Sequence, residues 1–184
     1  MMEPMTRFAV LLRGINVGGH NKIAMADLRK LLTGLGYTDV ATYVQSGNAV
    51  LTSQDDDPGR VTAAIADGIS AELGLDIGVQ VRTAEQLAHV IEANPMAAAT
   101  AEPAMFVAVF LTANPTPEAF ATLDPAQFAT EEFALGDRVL YVWYHDGQAK
   151  TKLTADLMDR RLGVKVTARN WRTVTTLRDM AAST

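Results

Sequence analysis

The order of secondary-structure patterns repeats along this 184-residue chain, and the repetition constrains the fold more than any other feature. The hairpin-type turn Gln45-Ser46-Gly47-Asn48 separates two short β-prone runs in the first half. Apolar runs and helical periodicity predict, in order, a strand at 7–13, a helix at 25–35, strands at 40–44 and 49–52, a helix opened by Asp57-Pro58 and ended by Gly74, and a strand at 76–82. The predicted order is β-α-β-β-α-β.

The same order returns in the second half of the chain. The predicted elements are a strand at 104–111, a short helix at 117–123, strands at 132–135 and 138–144 around a Gly136-Asp137 turn, a helix at 151–162 and a strand at 164–168. Residues 8–16 and 106–114 also align, because both are apolar runs that end in asparagine. Two such halves predict an α+β protein made of duplicated ferredoxin-like β-α-β-β-α-β units.

Two further helices complete the expected organisation. Residues 83–92 predict a connecting helix, because Thr83 and Gln86 have the spacing of a capping box. Residues 171–180 predict a C-terminal helix with Asn170 as its N-cap. The expected organisation is a first subdomain at 1–82, a linking helix and loop at 83–103, and a second subdomain with the C-terminal helix at 104–184.

Composition excludes several classes of protein and site. No apolar run approaches the ~20 residues that a membrane span needs, and the N-terminus is too short and polar for a signal peptide. We therefore expect a cytoplasmic protein with no membrane partner. The absence of cysteine excludes disulfides and thiolate metal sites, and His20, His89 and His145 lack the spacing of metal ligands. The sequence predicts no metal and no cofactor.

Charge is unevenly distributed along the chain, whose net charge is −5. Residues 1–53 hold five bases against three acids, residues 54–137 hold two against fourteen, and residues 138–184 hold nine against four. This pattern predicts that an anion site draws on the two basic ends, unless the segregation is a matter of chance on a solvated surface. The overall acidity disfavours non-specific binding of duplex DNA, which depends on many phosphate contacts.

A glycine-rich, basic segment follows the first strand. Residues 13–22 read Arg-Gly-Ile-Asn-Val-Gly-Gly-His-Asn-Lys. Glycine lets the backbone approach a ligand closely, and Arg13 and Lys22 favour negative charge. The segment has neither the spacing of a P-loop nor that of the G-x-G-x-x-G dinucleotide motif. It is interpreted as an anion cradle or, alternatively, as a tight connection between strand and helix.

Two other polar segments accompany it. The turn at 45–48 offers two amides and a hydroxyl, or is ordinary turn chemistry; Ser46 lacks the context of a nucleophile elbow. Residues 169–172 (Arg-Asn-Trp-Arg) join a strand to a helix, where two guanidinium groups favour an anion. In the structural alternative, Asn170 caps the helix and Trp171 packs in the core.

Residues 11–19, 45–48 and 167–174 together resemble the signatures of the domain-of-unknown-function 1697 family, and the resemblance extends over nearly the whole chain. It implies an α+β fold of duplicated ferredoxin-like character and a bacterial cytosolic origin. It brings no established activity with it.

The leading hypothesis is an uncharacterised cytosolic protein that binds an anionic small molecule, phosphorylated or nucleotide-like, at a site built from these three segments. The candidate ligand-binding residues are Arg13, Gly14, Asn16, Gly18, Gly19, Lys22, Gln45, Ser46, Asn48, Arg169, Asn170 and Trp171. One alternative is an enzyme acting on that ligand, with unknown catalytic residues. The other is a single-stranded nucleic-acid or protein-interaction module in which Tyr141 and Trp143, on one strand face, form a stacking platform; the structural alternative is that both rings belong to the core. The oligomeric state does not follow from the sequence.

Overall fold

The computed structural model describes residues 3–183, so residues 1, 2 and 184 of the expected subdomains lie outside the described residues. The protein is α+β, and its two four-stranded antiparallel sheets belong to two compact units. The first unit runs to Ala88 and also takes in the chain from Thr176 onward, and the second runs from His89 to Thr175. No helix within the described range is long and apolar enough to cross a membrane.

The first unit has the predicted β-α-β-β-α-β order. Its elements are β1 (Thr6–Leu12), α1 (Met25–Gly34), β2 (Thr38–Tyr43), β3 (Asn48–Ser53), α2 (Pro58–Leu73) and β4 (Val79–Thr83). The strand order β2-β3-β1-β4, with every neighbouring pair antiparallel, is that of a ferredoxin-like sheet. Alternate residues of the strands, such as Phe8, Val10 and Leu12 of β1, join the core with Leu28 of α1 and Ile65 of α2.

The second unit repeats this order. Its strands and helices are β5 (Phe106–Leu111), α4 (Pro117–Ala121), β6 (Glu131–Leu135), β7 (Val139–Tyr144), α5 (Ala155–Leu162) and β8 (Val166–Asn170), and the strand order is β6-β7-β5-β8. Helix α3 (Ala84–Glu92) precedes these elements and α6 (Trp171–Ala182) follows them. Short 3₁₀ helices at Ala97–Ala101 and Pro125–Gln127 were not predicted.

Several helix ends follow from local sequence. The side chain of Asp57 accepts hydrogen bonds from the amides of Gly59 and Arg60 at the start of α2, and Gly74 ends that helix with a φ of +65°. The capping box of α3 is formed, because the Thr83 amide donates to Gln86 Oε1 (2.9 Å) and the Gln86 amide donates to Thr83 Oγ1 (3.1 Å). These predicted helix ends are confirmed.

The predicted starts of one helix and two strands were wrong. Helix α5 begins at Ala155 rather than at 151, because Thr154 caps it by accepting from the Leu157 amide (3.2 Å). Thr151 instead donates its hydroxyl hydrogen to Glu131 Oε1 (2.6 Å). The predicted strands at 76–82 and 164–168 each begin two or three residues later, as β4 and β8.

Matching backbone hydrogen bonds in the two units support an internal duplication. The Leu12 amide donates to Gly47 O, and the Leu111 amide donates to Arg138 O, both at 2.9 Å. One residue further along each strand, Arg13 N–Gly78 O (2.9 Å) corresponds to Thr112 N–Lys165 O (3.1 Å). In each unit, therefore, the end of the first strand is hydrogen-bonded to the residue before the third strand and to the segment before the fourth strand.

Candidate functional site

The glycine-rich segment forms a small hairpin that ends before helix α1 begins. Val17 and His20 form an antiparallel bridge, and the His20 amide donates to Val17 O (3.1 Å). Gly18 and Gly19 occupy the tip with φ values of +60° and +77°, the positive φ at both central residues that a type I′ turn requires. The glycine pair is thus explained by the turn at the tip.

The side chain of Asn16 joins the base of this hairpin to neighbouring segments of the chain through hydrogen bonds. Its Nδ2 donates to Ile23 O (2.8 Å) and to Gln45 O (2.7 Å), and its Oδ1 accepts from the Ile23 amide (2.9 Å). The first two candidate segments therefore lie side by side in the first unit. Asn16 was predicted to contact ligand, but its amide group already makes three hydrogen bonds within the protein.

The turn at 45–48 is held by close packing. Gly47 has a φ of +88°, and a Cβ there would lie 2.9 Å from Leu12 Cβ and from Ile15 Cγ1 and Cδ1. Asn48 is fully buried and donates to Tyr43 O (3.2 Å) and Ser46 Oγ (3.1 Å). Close packing and a positive φ favour glycine at position 47, and Asn48 stabilises the turn through its two hydrogen bonds.

We call residues 13–23 together with 44–48 the loop–turn site. Its exposed candidate residues are Gly14, Gly18, Gly19, Lys22, Gln45 and Ser46, and Arg13 is half-buried. Two apolar side chains also face solvent, since Val17 is 64% exposed and Val44 is 50% exposed. Val44 has a φ of +50°, which is strained for a β-branched residue. Neither valine is among the residues that the sequence predicts to bind ligand.

The third candidate segment belongs to the second unit. Asn170 Oδ1 accepts from the Thr173 amide (2.9 Å), so the predicted N-cap of the last helix is present. The Trp171 ring is buried, with its centroid 4.7 Å from that of Phe106. Burial lowers the pKa of the Arg169 guanidinium to about 10, and its Nη1 donates to Ala168 O (2.9 Å). Ligand contact by residues 169–171 stays a prediction.

Arg82 is a buried polar residue that sequence reasoning missed. It pairs with Ala9 across β4 and β1, as Arg169 pairs with Ala108 across β8 and β5. Its Nη1 donates to the carbonyl of the preceding residue, Val81, at 2.9 Å, as that of Arg169 does. An alignment of Val-Gln-Val-Arg-Thr with Val-Thr-Ala-Arg-Asn at the last strands of the repeats would have found it.

The proposed stacking platform is not open on both rings. Tyr141 is 1% exposed and donates its hydroxyl hydrogen to Val90 O (2.6 Å), and burial raises its pKa to about 12. Trp143 is half-buried, and its Nε1 donates to Glu102 Oε1 (3.0 Å). These contacts disfavour two-ring stacking on a nucleic acid.

A family model described as "Protein of unknown function (DUF1697)" matches residues 5–141, about three quarters of the chain. The chain belongs to this family. The predicted membership is confirmed, and the matched range contains both segments of the loop–turn site of this DUF1697 protein. The protein is similar to a solved conserved bacterial protein from Streptococcus pneumoniae, with 26% identity, a TM-score of 0.79, and coverage of 98% of this chain and 100% of that chain. The curated proteins contain no match.

The titratable side chains of the described DUF1697 chain form no metal-binding group. Within residues 3–183, no three histidine, aspartate or glutamate side chains lie close enough together to hold a metal ion. The loop–turn site itself offers backbone amides, the hydroxyl of Ser46 and the basic side chains of Arg13 and Lys22.

Proposed function

We propose that the protein binds an anionic ligand, phosphorylated or nucleotide-like, at the loop–turn site. The observation that carries this proposal is the set of three hydrogen bonds by which Asn16 holds the hairpin against Ile23 and Gln45. A loop fixed before the ligand arrives loses less conformational entropy on binding. The site is therefore preorganised.

The charge and polarity of the loop favour an anion. Arg13, His20 and Lys22 lie within ten residues of one another, and no acidic residue occurs between Arg7 and Asp27. Gly18 and Gly19 at the tip carry no side chains, so a ligand can approach the backbone closely there. Ser46 adds an exposed hydroxyl beside the hairpin.

A protein-interaction module is the second candidate, and the exposed Val17 and Val44 favour it. These two valines lie on the hairpin that Asn16 holds in place and on the adjoining turn, and they offer apolar contact area to a partner protein. A nucleotide uses the same valines differently, with its base against them and its phosphate on the cations. The two candidates differ in salt dependence, because phosphate contacts weaken as ionic strength rises.

Isothermal titration calorimetry with adenosine monophosphate and with inorganic phosphate tests the proposal. Lys22→Ala is the informative variant, and Lys30→Ala is its control, since both lysines are exposed and Lys30 lies on α1 outside the site. We expect Lys22→Ala to weaken binding by about tenfold, the typical effect of losing one charge-assisted contact, while Lys30→Ala binds like wild type. Equal binding by both variants, or no binding of either probe, would contradict the proposal.

A further inference from the structure

A separate cavity of about 510 Å³ lies in the second unit, where the start of β6 meets the loop after β7. This volume is within the range of small-molecule pockets. Its charged walls are Glu131, Asp146 and Lys150, and the hydroxyl-bearing residues Thr130 and Thr151 complete the polar lining. The loop–turn site contributes nothing to this cavity, since every lining residue falls between 130 and 151.

Glu131 is the key residue of the cavity. It is 9% exposed, and its Oε1 accepts the hydrogen of the Thr151 hydroxyl (2.6 Å). Its Oε2 has no hydrogen bond to any described residue. That oxygen is not sealed in the protein, because within residues 3–183 no enclosed side-chain oxygen or nitrogen lacks a partner. A largely buried carboxylate that lines the cavity therefore keeps one acceptor oxygen in contact with solvent.

The charges of the cavity are not neutralised by one another. Within the described part of the chain, no ion pair of 4.0 Å or less joins Lys150 to Glu131 or to Asp146. Burial is the larger cause of the raised pKa of Tyr144, and the negative charge of the neighbouring Glu131 raises that pKa further. A buried charge costs free energy unless it acquires a partner of opposite sign. The site thus presents two carboxylates and one ammonium group to whatever enters.

We propose that this cavity binds a small zwitterion of the free amino-acid type. The ligand's ammonium group is received by Glu131 and Asp146, and its carboxylate by Lys150. The remaining lining, Gly147 and Ala149, is small and provides no aromatic or large aliphatic wall, which favours a compact polar ligand over a hydrophobic one. A simple anion is disfavoured because two carboxylates face it, and a simple amine leaves Lys150 without a partner.

Calorimetric titration of the full chain with the standard L-amino acids, ethylamine and propionate tests this proposal. We expect at least one amino acid to bind more tightly than either singly charged compound. Glu131→Gln preserves the shape of the side chain and removes its charge, and we expect about tenfold or greater weakening. Glu118→Gln is the matched control, since Glu118 is exposed on α4 and does not line the cavity.

Lys150→Met keeps the test decisive if Glu131→Gln fails to fold, because Lys150 is exposed and its replacement leaves the core intact. We expect it to reduce amino-acid affinity about tenfold, whereas Lys152→Met, outside the cavity, behaves like wild type. The proposal is overturned if no amino acid binds more tightly than ethylamine and propionate, or if Lys150→Met binds amino acids as wild type does.

Discussion

Gly47 shows how a residue type that suggests ligand approach can instead be required by packing. Its φ is +88°, and a Cβ would press on Leu12 and Ile15 at 2.9 Å. Gly47→Ala is expected to lower the free energy of unfolding by about 2–4 kcal/mol, combining left-handed strain with overpacking. Chemical denaturation measures the change.

Gly34→Ala is the control for that substitution. Gly34 ends helix α1, and a Cβ there meets nothing within 4 Å. Alanine favours the helix over glycine, so this variant should match or exceed wild-type stability by up to about 1 kcal/mol. Equal stability of the two variants would refute the packing role assigned to Gly47.

Val44 carries strain that a different residue would relieve. Its φ of +50° lies in a region that asparagine tolerates and β-branched residues avoid, and the side chain is exposed. Val44→Asn is expected to raise the free energy of unfolding by about 1 kcal/mol, or the melting temperature by about 2–4 °C. Val17→Asn changes an exposed valine without positive φ and should give no such gain. A loss of stability in Val44→Asn would contradict this account.

Tyr141 predicts a pH-dependent stability difference. Burial raises its pKa in the folded protein from 10.0 to about 12, so the folded state holds its proton while the unfolded chain releases it. The wild type therefore loses stability as pH rises from 10 to 12, and Tyr141→Phe lacks this loss. At neutral pH the variant should be about 1 kcal/mol less stable, because Val90 O loses its hydrogen bond.

Chemical denaturation of both proteins between pH 7 and the alkaline range measures how their free energies of unfolding change with pH. The stability advantage of the wild type over Tyr141→Phe should shrink and then reverse as pH rises from 10 to 12, because each unit of pKa difference corresponds to about 1.4 kcal/mol. An advantage that stays constant or grows with pH would show that Tyr141 ionises as readily in the folded protein as in the unfolded chain.

At the scale of single elements, local signals predicted some boundaries and long-range contacts decided others. Asp57-Pro58 and Gly74 mark the ends of α2 in the sequence itself. The start of α5 was placed too early because Thr151 looks compatible with a helix. Its hydroxyl is instead bonded to Glu131, twenty residues away in the chain, and no local pattern encodes that contact.

The capping box at the start of α3 gives an element-scale prediction. Thr83→Ala removes the acceptor of the Gln86 amide and should lower the free energy of unfolding by about 1 kcal/mol. Thr33→Ala, at an exposed position of α1, is the control and should be neutral or slightly stabilising. Thermal unfolding distinguishes the two, and equal effects would argue that the box contributes nothing.

For the whole molecule, the duplicated element order was sufficient to predict two ferredoxin-like units. The order β-α-β-β-α-β admits few antiparallel arrangements, and both sheets adopt the same one. The roles of individual polar residues were less predictable, because a sequence motif does not say which hydrogen-bond partners the fold supplies. Asn16 and Asn170 make the hydrogen bonds that close the hairpin and cap the last helix, and Arg82, which no motif marks, occupies the position in β4 that Arg169 occupies in β8.

A heteronuclear NMR titration of backbone amides with adenosine monophosphate tests the central claim most directly, since it reports both binding and its location. The account predicts that the largest shifts occur at Gly14, Gly18, Gly19 and Ser46, and that Lys22→Ala weakens the response while Lys30→Ala does not. Saturable shifts confined to residues outside the loop–turn site, or no shifts at millimolar ligand, would contradict it.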